Sequence, residues 1–457
     1  MEYISTRGSK VGSFQNVLMK GLAQDGGLFI PNEWPQINTN ELRSDLSYEN
    51  LTAKIIQPFI GSEINDDDLH SIIKSAYKDF SSPDPVTFKK LSRGETVVEL
   101  FNGPTLAFKD FAMQLLIPIF DYFLDKEDRQ MNLIVATSGD TGSAAIHAVN
   151  KSKNLNIYCL YPKNRISEFQ RRQMSTVKSN KINLCEINGT FDDCQNIVKE
   201  ILADNEFSGK YNISAVNSIN WARVMIQVVY YFFSALRLDN CESKYNFSVP
   251  TGNFGDVYAG YIAKKMGLNI NRLTVATNEN DILDRFFKTG QYMSREVVKT
   301  SSPSMDIQVA SNFERLLFDA LNRSSSEINE KMNNFKINGN ISVTSQSLEV
   351  CQSYFSSEKV DMKSVEKVIM DTYETDGYLV DPHTAIGIHA SRQSQQIENN
   401  FILGTAHPVK FLDTVENSIQ SKTNLLNGYE KLFEATEKFD SLSNSVDEVK
   451  LKIVSSN

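Results

Sequence analysis

The feature that most constrains this chain begins near residue 95, where short apolar runs start to alternate with longer amphipathic segments. Residues 132–136, 155–160, 182–187, 247–249, 273–277 and 401–403 read as strands. Segments 143–150, 191–202 and 256–266 between them read as helices. Strand and helix in alternation predict an α/β fold with largely parallel sheets covered by helices on both faces. Before residue 95 the texture differs: Ile55, Ile56, Phe59 and then Leu69, Ile72, Ile73, Tyr77 recur at spacings of three and four, a helical pattern. The expected organisation is a mostly helical N-terminal cap over residues 1–94 and an α/β region over 95–457. The Ser- and Asn-rich stretch 322–347 reads as loop-laden, and Asp66-Asp67-Asp68 as a charge cluster at a helix start.

Composition narrows the function. With 457 residues, 41% of them hydrophobic, the chain has material for a large buried core. A net charge of −9 lacks the basic excess that nucleic-acid binding requires, so any anionic ligand must be held by local groups. The apolar runs at 111–120 and 224–233 are too short to span a bilayer, and no signal peptide is recognisable. The five cysteines show no close pairing, which speaks against a disulfide framework or a zinc site and for a reducing, cytoplasmic setting. There is no HExxH and no GxSxG; His147, His383 and His389 read as structural or solvent-facing.

In such folds ligands gather at the carboxyl ends of the strands. Three of these ends are unusual. One runs into Thr137-Ser138-Gly139-Asp140-Thr141-Gly142, which offers three hydroxyls, a carboxylate and free amides at a helix start. A second leads through Pro250 into Thr251-Gly252-Asn253-Phe254-Gly255-Asp256, a glycine-bearing loop suited to an anion at a helix N-terminus. A third ends at Gly404-Thr405-Ala406-His407-Pro408. Each loop taken alone reads more readily as a turn with an N-cap than as a ligand site. In addition, Glu99 to Phe111 contains one lysine, Lys109, among Leu106, Ala107, Phe108, Phe111, Ala112 and Met113. Surroundings this apolar would lower the lysine pKa, as a Schiff-base amine requires.

Taken together and in this order, FNGPTLAFKDF, ATSGDTGSAA, NSINWAR, VPTGNFGD and GTAHPVKF resemble the threonine synthases, pyridoxal-phosphate enzymes of the β-family, or fold type II. The N-terminal Tyr3-Ile4-Ser5-Thr6-Arg7-Gly8 and Gly21 to Phe29 resemble the longer microbial and fungal branch of that family. The resemblance implies two intertwined lobes with pyridoxal 5'-phosphate between them, bonded to Lys109. It implies that Gly252, Asn253, Phe254, Gly255 and Asp256 cradle the cofactor phosphate, and that Thr405 meets the pyridine nitrogen. It further implies that Thr137, Ser138, Gly139, Asp140 and Thr141 receive a substrate carboxylate, and that Ser218, Asn220 and Arg223 meet a substrate phosphate. The implied reaction turns O-phospho-L-homoserine and water into L-threonine and phosphate, in a monomer. The rival readings are another β-family lyase, such as a threonine or serine dehydratase, and a non-catalytic homologue that binds a phosphorylated metabolite.

Overall fold

The computed structural model describes residues 1–239, 241–394 and 399–456. Its α/β region is built on two sheets. The larger, six-stranded sheet runs in the order Phe355–Lys359, Ile270–Thr277, Tyr245–Pro250, Asn400–Gly404, Thr96–Glu99, Thr87–Lys90. All neighbours in it are parallel except the last pair, which is antiparallel. The five-stranded sheet runs Asp440–Leu442, Ile182–Ile187, Leu155–Pro162, Met131–Ala136, Ile213–Ala215 and is parallel throughout. Central strands such as Met131–Ala136 and Tyr245–Pro250 are apolar and buried along nearly their whole length, as strands covered on both faces must be.

The six strand runs read from the sequence all lie inside observed strands. Their ends differ because polar residues such as Asn246 and Asn271 extend the ladders beyond the apolar runs. The helix Trp221–Asp239 is apolar around most of its circumference, and its residues from Trp221 to Leu236 are buried. Such a helix has no solvent face; it packs against Gly255–Lys265, Lys109–Glu127 and Tyr48–Ile60 at once. Gly260 permits part of this closeness, since a Cβ there would come within 2.8 Å of Tyr231 and Leu273 side-chain atoms.

Two regions differ from expectation. The stretch 322–347 is ordered: it holds the helix Ser325–Asn338 and the strand Asn340–Ser342, which pairs with Gln291–Met293. Its Ser and Asn residues cap and face outward while Ile328 is buried, so a polar composition concealed a helix anchored by few apolar contacts. The N-terminal segment has the helices Phe14–Lys20, Tyr48–Ile60 and Asp66–Tyr77, the last capped by Asn65 with its three aspartates in the first turn. It also has a three-stranded antiparallel sheet of Lys10–Gly12, Tyr3–Ser5 and Phe29–Pro31. Strands of three residues are too short to leave a period. Tyr3, Phe14 and Phe59 share one core with Phe233 and Phe401.

The five cysteines are free and buried. Among the described residues no helix is long and apolar enough to cross a membrane, and no His/Cys/Asp/Glu cluster could hold a metal.

Candidate active site

Lys109 opens the helix Lys109–Glu127, directly after a turn that is held from two sides. Within the turn, Asp110 accepts the Thr105 amide at 2.8 Å and its hydroxyl at 2.7 Å. Gly103 is required there, because a Cβ would fall 2.4 Å from that of Asp110. From outside, the Phe108 amide donates to the Thr405 carbonyl at 2.9 Å and the His407 amide to the Leu106 carbonyl at 3.0 Å. The lysine and Thr405, 296 positions apart by their residue numbers, are thereby stapled together. Lys109 Nζ lies 3.1 Å from Asp140 Oδ2 and 3.4 Å from Ser304 Oγ. Burial pulls its pKa down, and the adjacent Asp140 carboxylate opposes that pull.

Asp140 begins the helix Asp140–Lys151 at the end of the strand Met131–Ala136. Its second oxygen accepts Gln170 Nε2 at 2.9 Å and lies 3.0 Å from Lys410 Nζ. Burial alone would raise this carboxyl; Lys109 and Lys410 outweigh it and hold the pKa well below the usual range. Lys410 is fully buried and also donates to the Thr105 carbonyl at 2.7 Å and to Gln173 Oε1 at 3.0 Å. Thr137 shapes the loop, its hydroxyl accepting the amides of Gly139 at 3.0 Å and Gly142 at 2.8 Å. Gly139 has φ +121° and leaves no room for a Cβ beside Gln170. Among the described residues, the amides of Ser138, Asp140 and Thr141 have no acceptor.

The second strand end forms a cup. Phe254 adopts φ +62°, in the left-handed region that non-glycine residues avoid, and starts the helix Gly255–Lys265. Its ring is held among Phe287, Phe313 and Phe355, packing that offsets the backbone cost. Among the described residues the amides from Gly252 to Val257 find no acceptor, which leaves a run of free N–H groups at a helix start with the positive end of its dipole behind them. The Asp256 side chain turns away from the cup. Its Oδ1 accepts Tyr230 at 2.6 Å and Tyr231 at 3.0 Å, and burial pushes its pKa up to about 7 against those two donors.

Lys109, Asp140, Thr141, Gly252 to Asp256, Thr405, Ser218 and Arg223 line one cavity of about 80 Å³. Ser138 instead lines another cleft, of about 710 Å³, which Lys410 also borders. Arg223 donates to the Val216 carbonyl at 3.2 Å, and its Nε has no partner among the described residues. Burial draws its pKa down to about 10, which leaves it cationic near neutral pH. Ser218 joins the cup through Ser311, 2.9 Å from it, which donates to Asn253 Oδ1 at 3.1 Å. Asn220 is not brought to the cavity: it donates to the Leu18 carbonyl at 3.0 Å and accepts the Ala222 amide at 3.1 Å, so its side chain serves the fold.

Sequence reasoning did not find Ser304, Lys410, Gln170 or His383. Lys410 stands within GTAHPVKF, three residues past His407, and burial was the property its surroundings did not announce. His383, read as structural or solvent-facing, is buried and borders the cavity; its Nδ1 lies 2.6 Å from the Asp381 carboxylate, while Nε2 has no partner among the described residues.

A buried lysine, a cup of unpaired amides and Thr405 around one cavity suit a phosphorylated aromatic aldehyde. The comparisons agree with that chemistry. Residues 97–331 match the family of pyridoxal-phosphate dependent enzymes, residues 2–77 match the threonine synthase N terminus, and residues 384–453 match the threonine synthase C-terminal region. A threonine synthase of Pseudomonas aeruginosa is 43% identical over 98% of this chain and 97% of its own length. The chain belongs to the threonine synthase family. The threonine synthase of Saccharomyces cerevisiae is 42% identical over 92% of this chain and 90% of its own. The crystal structure of a PLP-bound threonine synthase from Brucella melitensis superposes with a TM-score of 0.95 at 41% identity, covering 100% of this chain and 99% of that one. The family membership makes this a fold type II enzyme with pyridoxal 5'-phosphate as cofactor.

Proposed function

We propose that this chain converts O-phospho-L-homoserine and water to L-threonine and inorganic phosphate, the last step of threonine biosynthesis, with Lys109 bonded to the cofactor. The observation that carries this reading is the single cavity shared by Lys109, the amide cup and the buried Arg223. The bound cofactor supplies an electron sink for the substrate's α-carbon.

The protein's residues then divide the work. Amides of Gly252 to Val257 hold the cofactor phosphate. The Thr405 hydroxyl meets the pyridine nitrogen; being neutral, it does not hold that nitrogen protonated as a carboxylate would. The amides of Ser138, Asp140 and Thr141 receive the substrate carboxylate, with Thr137 and Gly139 shaping their loop. The Asp140 side chain has a different part, because a carboxylate facing a carboxylate would repel it. It faces Lys109 and Lys410 and orients the reacting amine.

Arg223 and Ser218 bind the γ-phosphate, the guanidinium offering a fork that matches it. Freed when the substrate's amine replaces it, Lys109 Nζ removes the proton from Cα and, after giving that proton up, one from Cβ, a role helped by burial that keeps the amine closer to neutrality. Phosphate leaves Cγ, a proton reaches Cγ, and water adds at Cβ; one water is consumed and one phosphate released.

The same reading takes residues 1–94 as a cap on 95–457 and the enzyme as a cytoplasmic monomer. The test is phosphate release from O-phosphohomoserine with threonine measured as the second product. Dehydration of serine or threonine, with none of that turnover, would replace this reading with a dehydratase.

A further inference from the structure

Ser304 belongs to no sequence motif, yet it stands where the two lobes' chemistry meets. The 3-10 turn Pro303–Met305 puts Ser304 and Met305 in the lining of the cavity shared by the amide cup and Lys109. On the cup side, the Ser304 carbonyl lies so close to Gly252 that a Cβ there would come within 2.8 Å of it. On the other side, the Ser304 hydroxyl lies 3.2 Å from Asp140 Oδ2 and 3.4 Å from Lys109 Nζ.

The turn is fixed by a polar network. Asp306 Oδ1 accepts Thr300 Oγ1 at 2.6 Å, Asn278 Nδ2 at 2.8 Å and Asn280 Nδ2 at 3.1 Å, and its Oδ2 accepts the Thr300 amide at 2.9 Å. Asn278, Asn280, Thr300 and Ser302 are all buried. A buried network of this size is costly unless its groups are satisfied, and a satisfied one rigidifies what it holds. Here it holds the turn that presents Ser304.

We propose that Ser304 is a positioning residue for the Lys109 amine, an inference that rests on the reading of Lys109 as the reacting base. The serine donates its O–H to Asp140 and accepts an N–H from Lys109, so the amine is tied at two points. Its remaining direction is left for the substrate. The second tie is a neutral oxygen. A second carboxylate in that place would favour the ammonium, which cannot act as a base; a hydroxyl orients the amine without fixing its charge.

The test uses purified holoenzyme of the parent, Ser304→Ala and Ser304→Thr, with pH titration of the visible cofactor band alongside steady-state kinetics. For Ser304→Ala the band is retained, its titration midpoint moves by a change in proton affinity of about threefold or more, and kcat falls about tenfold or more with KM within about threefold. Ser304→Thr, which keeps a hydroxyl, recovers most of both. A Ser304→Ala enzyme with the parent's titration and kcat overturns the proposal. So does a Ser304→Thr enzyme as impaired as Ser304→Ala, since the shape of the turn would then be what matters. If Ser304→Ala does not fold by circular dichroism, Ser304→Cys, of similar size with a poorer hydrogen-bonding group, must show the same displacement; a parent-like result overturns it. The titration does not depend on the substrate, so a parent enzyme inactive on O-phosphohomoserine would defeat the functional reading separately.

Discussion

Arg223 and Asp256 are both buried beside the same cavity, and each has one side-chain polar atom with no partner among the described residues. Arg223 keeps one buried side-chain nitrogen without a partner among the described residues, an arrangement that costs free energy unless a ligand supplies the acceptor. Arg223→Ala is therefore expected to lower kcat/KM for O-phosphohomoserine by about a hundredfold or more, the loss of a charge-assisted bidentate contact. The visible cofactor band should remain, since the amide cup is intact; its disappearance would mean that Arg223 holds the cofactor instead.

Asp256 carries a pH signature. Burial raises its pKa to about 7 from an ordinary value of 3.8, so the folded state binds its proton more tightly than the unfolded chain does. The stability this proton contributes is complete below about pH 4 and is lost as pH rises through about 7. Asp256→Asn cannot ionise and escapes that loss. In cofactor-free protein, denaturant melts from pH 4 to 8 should show the parent falling behind the variant by up to about 4 kcal/mol. Parallel profiles would show that Asp256 stays ionised in the fold.

At this scale the sequence was legible where a residue was out of place among its neighbours. Lys109 stood out because apolar residues surround it. Ser304 and Lys410 did not, since what distinguishes them is proximity to residues more than a hundred positions away. Asn220 lies inside a recognised motif but spends its side chain on Leu18 and Ala222, and only packing could reveal that.

At the scale of elements, six strands of the two main sheets were visible because central parallel strands are apolar on both faces. The edge strands Asp440–Leu442, Ile213–Ala215, Phe355–Lys359 and Thr87–Lys90 were not, nor was the inner strand Thr96–Glu99; the first of these has two of its three residues exposed. The loops at the strand ends were visible through their glycines, and Gly139 shows why. It combines φ +121° with a virtual Cβ only 2.4 Å from Gln170 Cδ, and Gln170 is one of the groups holding Asp140. Gly139→Ala must strain the backbone and displace Gln170 together. We expect a stability loss of about 1–3 kcal/mol and a rise in KM larger than any change in cofactor affinity. A variant with the parent's melting temperature and KM would show that the loop relaxes freely and does not set the carboxylate site.

Across the whole molecule, an acidic chain must assemble positive potential for two phosphates and a carboxylate from segments remote in sequence. Arg315 joins three of them. It is fully buried and donates to the Phe29 carbonyl at 2.9 Å in the N-terminal sheet and to the Ile219 carbonyl at 2.7 Å in the loop before Arg223. It also bonds Asn312, whose amide group reaches the carbonyls of Ser218 and Asn253, both at 3.0 Å. Two effects compete in Arg315→Met. Removing a buried guanidinium, whose pKa burial draws down to about 10, relieves a desolvation cost. Against this, the carbonyls of Phe29 and Ile219 lose their donor at about 1–3 kcal/mol each. The second effect should win, giving a net loss of about 2–4 kcal/mol in denaturant melts. Because Ile219 lies between Ser218 and Arg223, KM for O-phosphohomoserine should also rise while the cofactor band persists. A variant more stable than the parent would mean that desolvation of the guanidinium dominates. Unchanged KM would mean that the substrate-phosphate loop is held without the N-terminal segment.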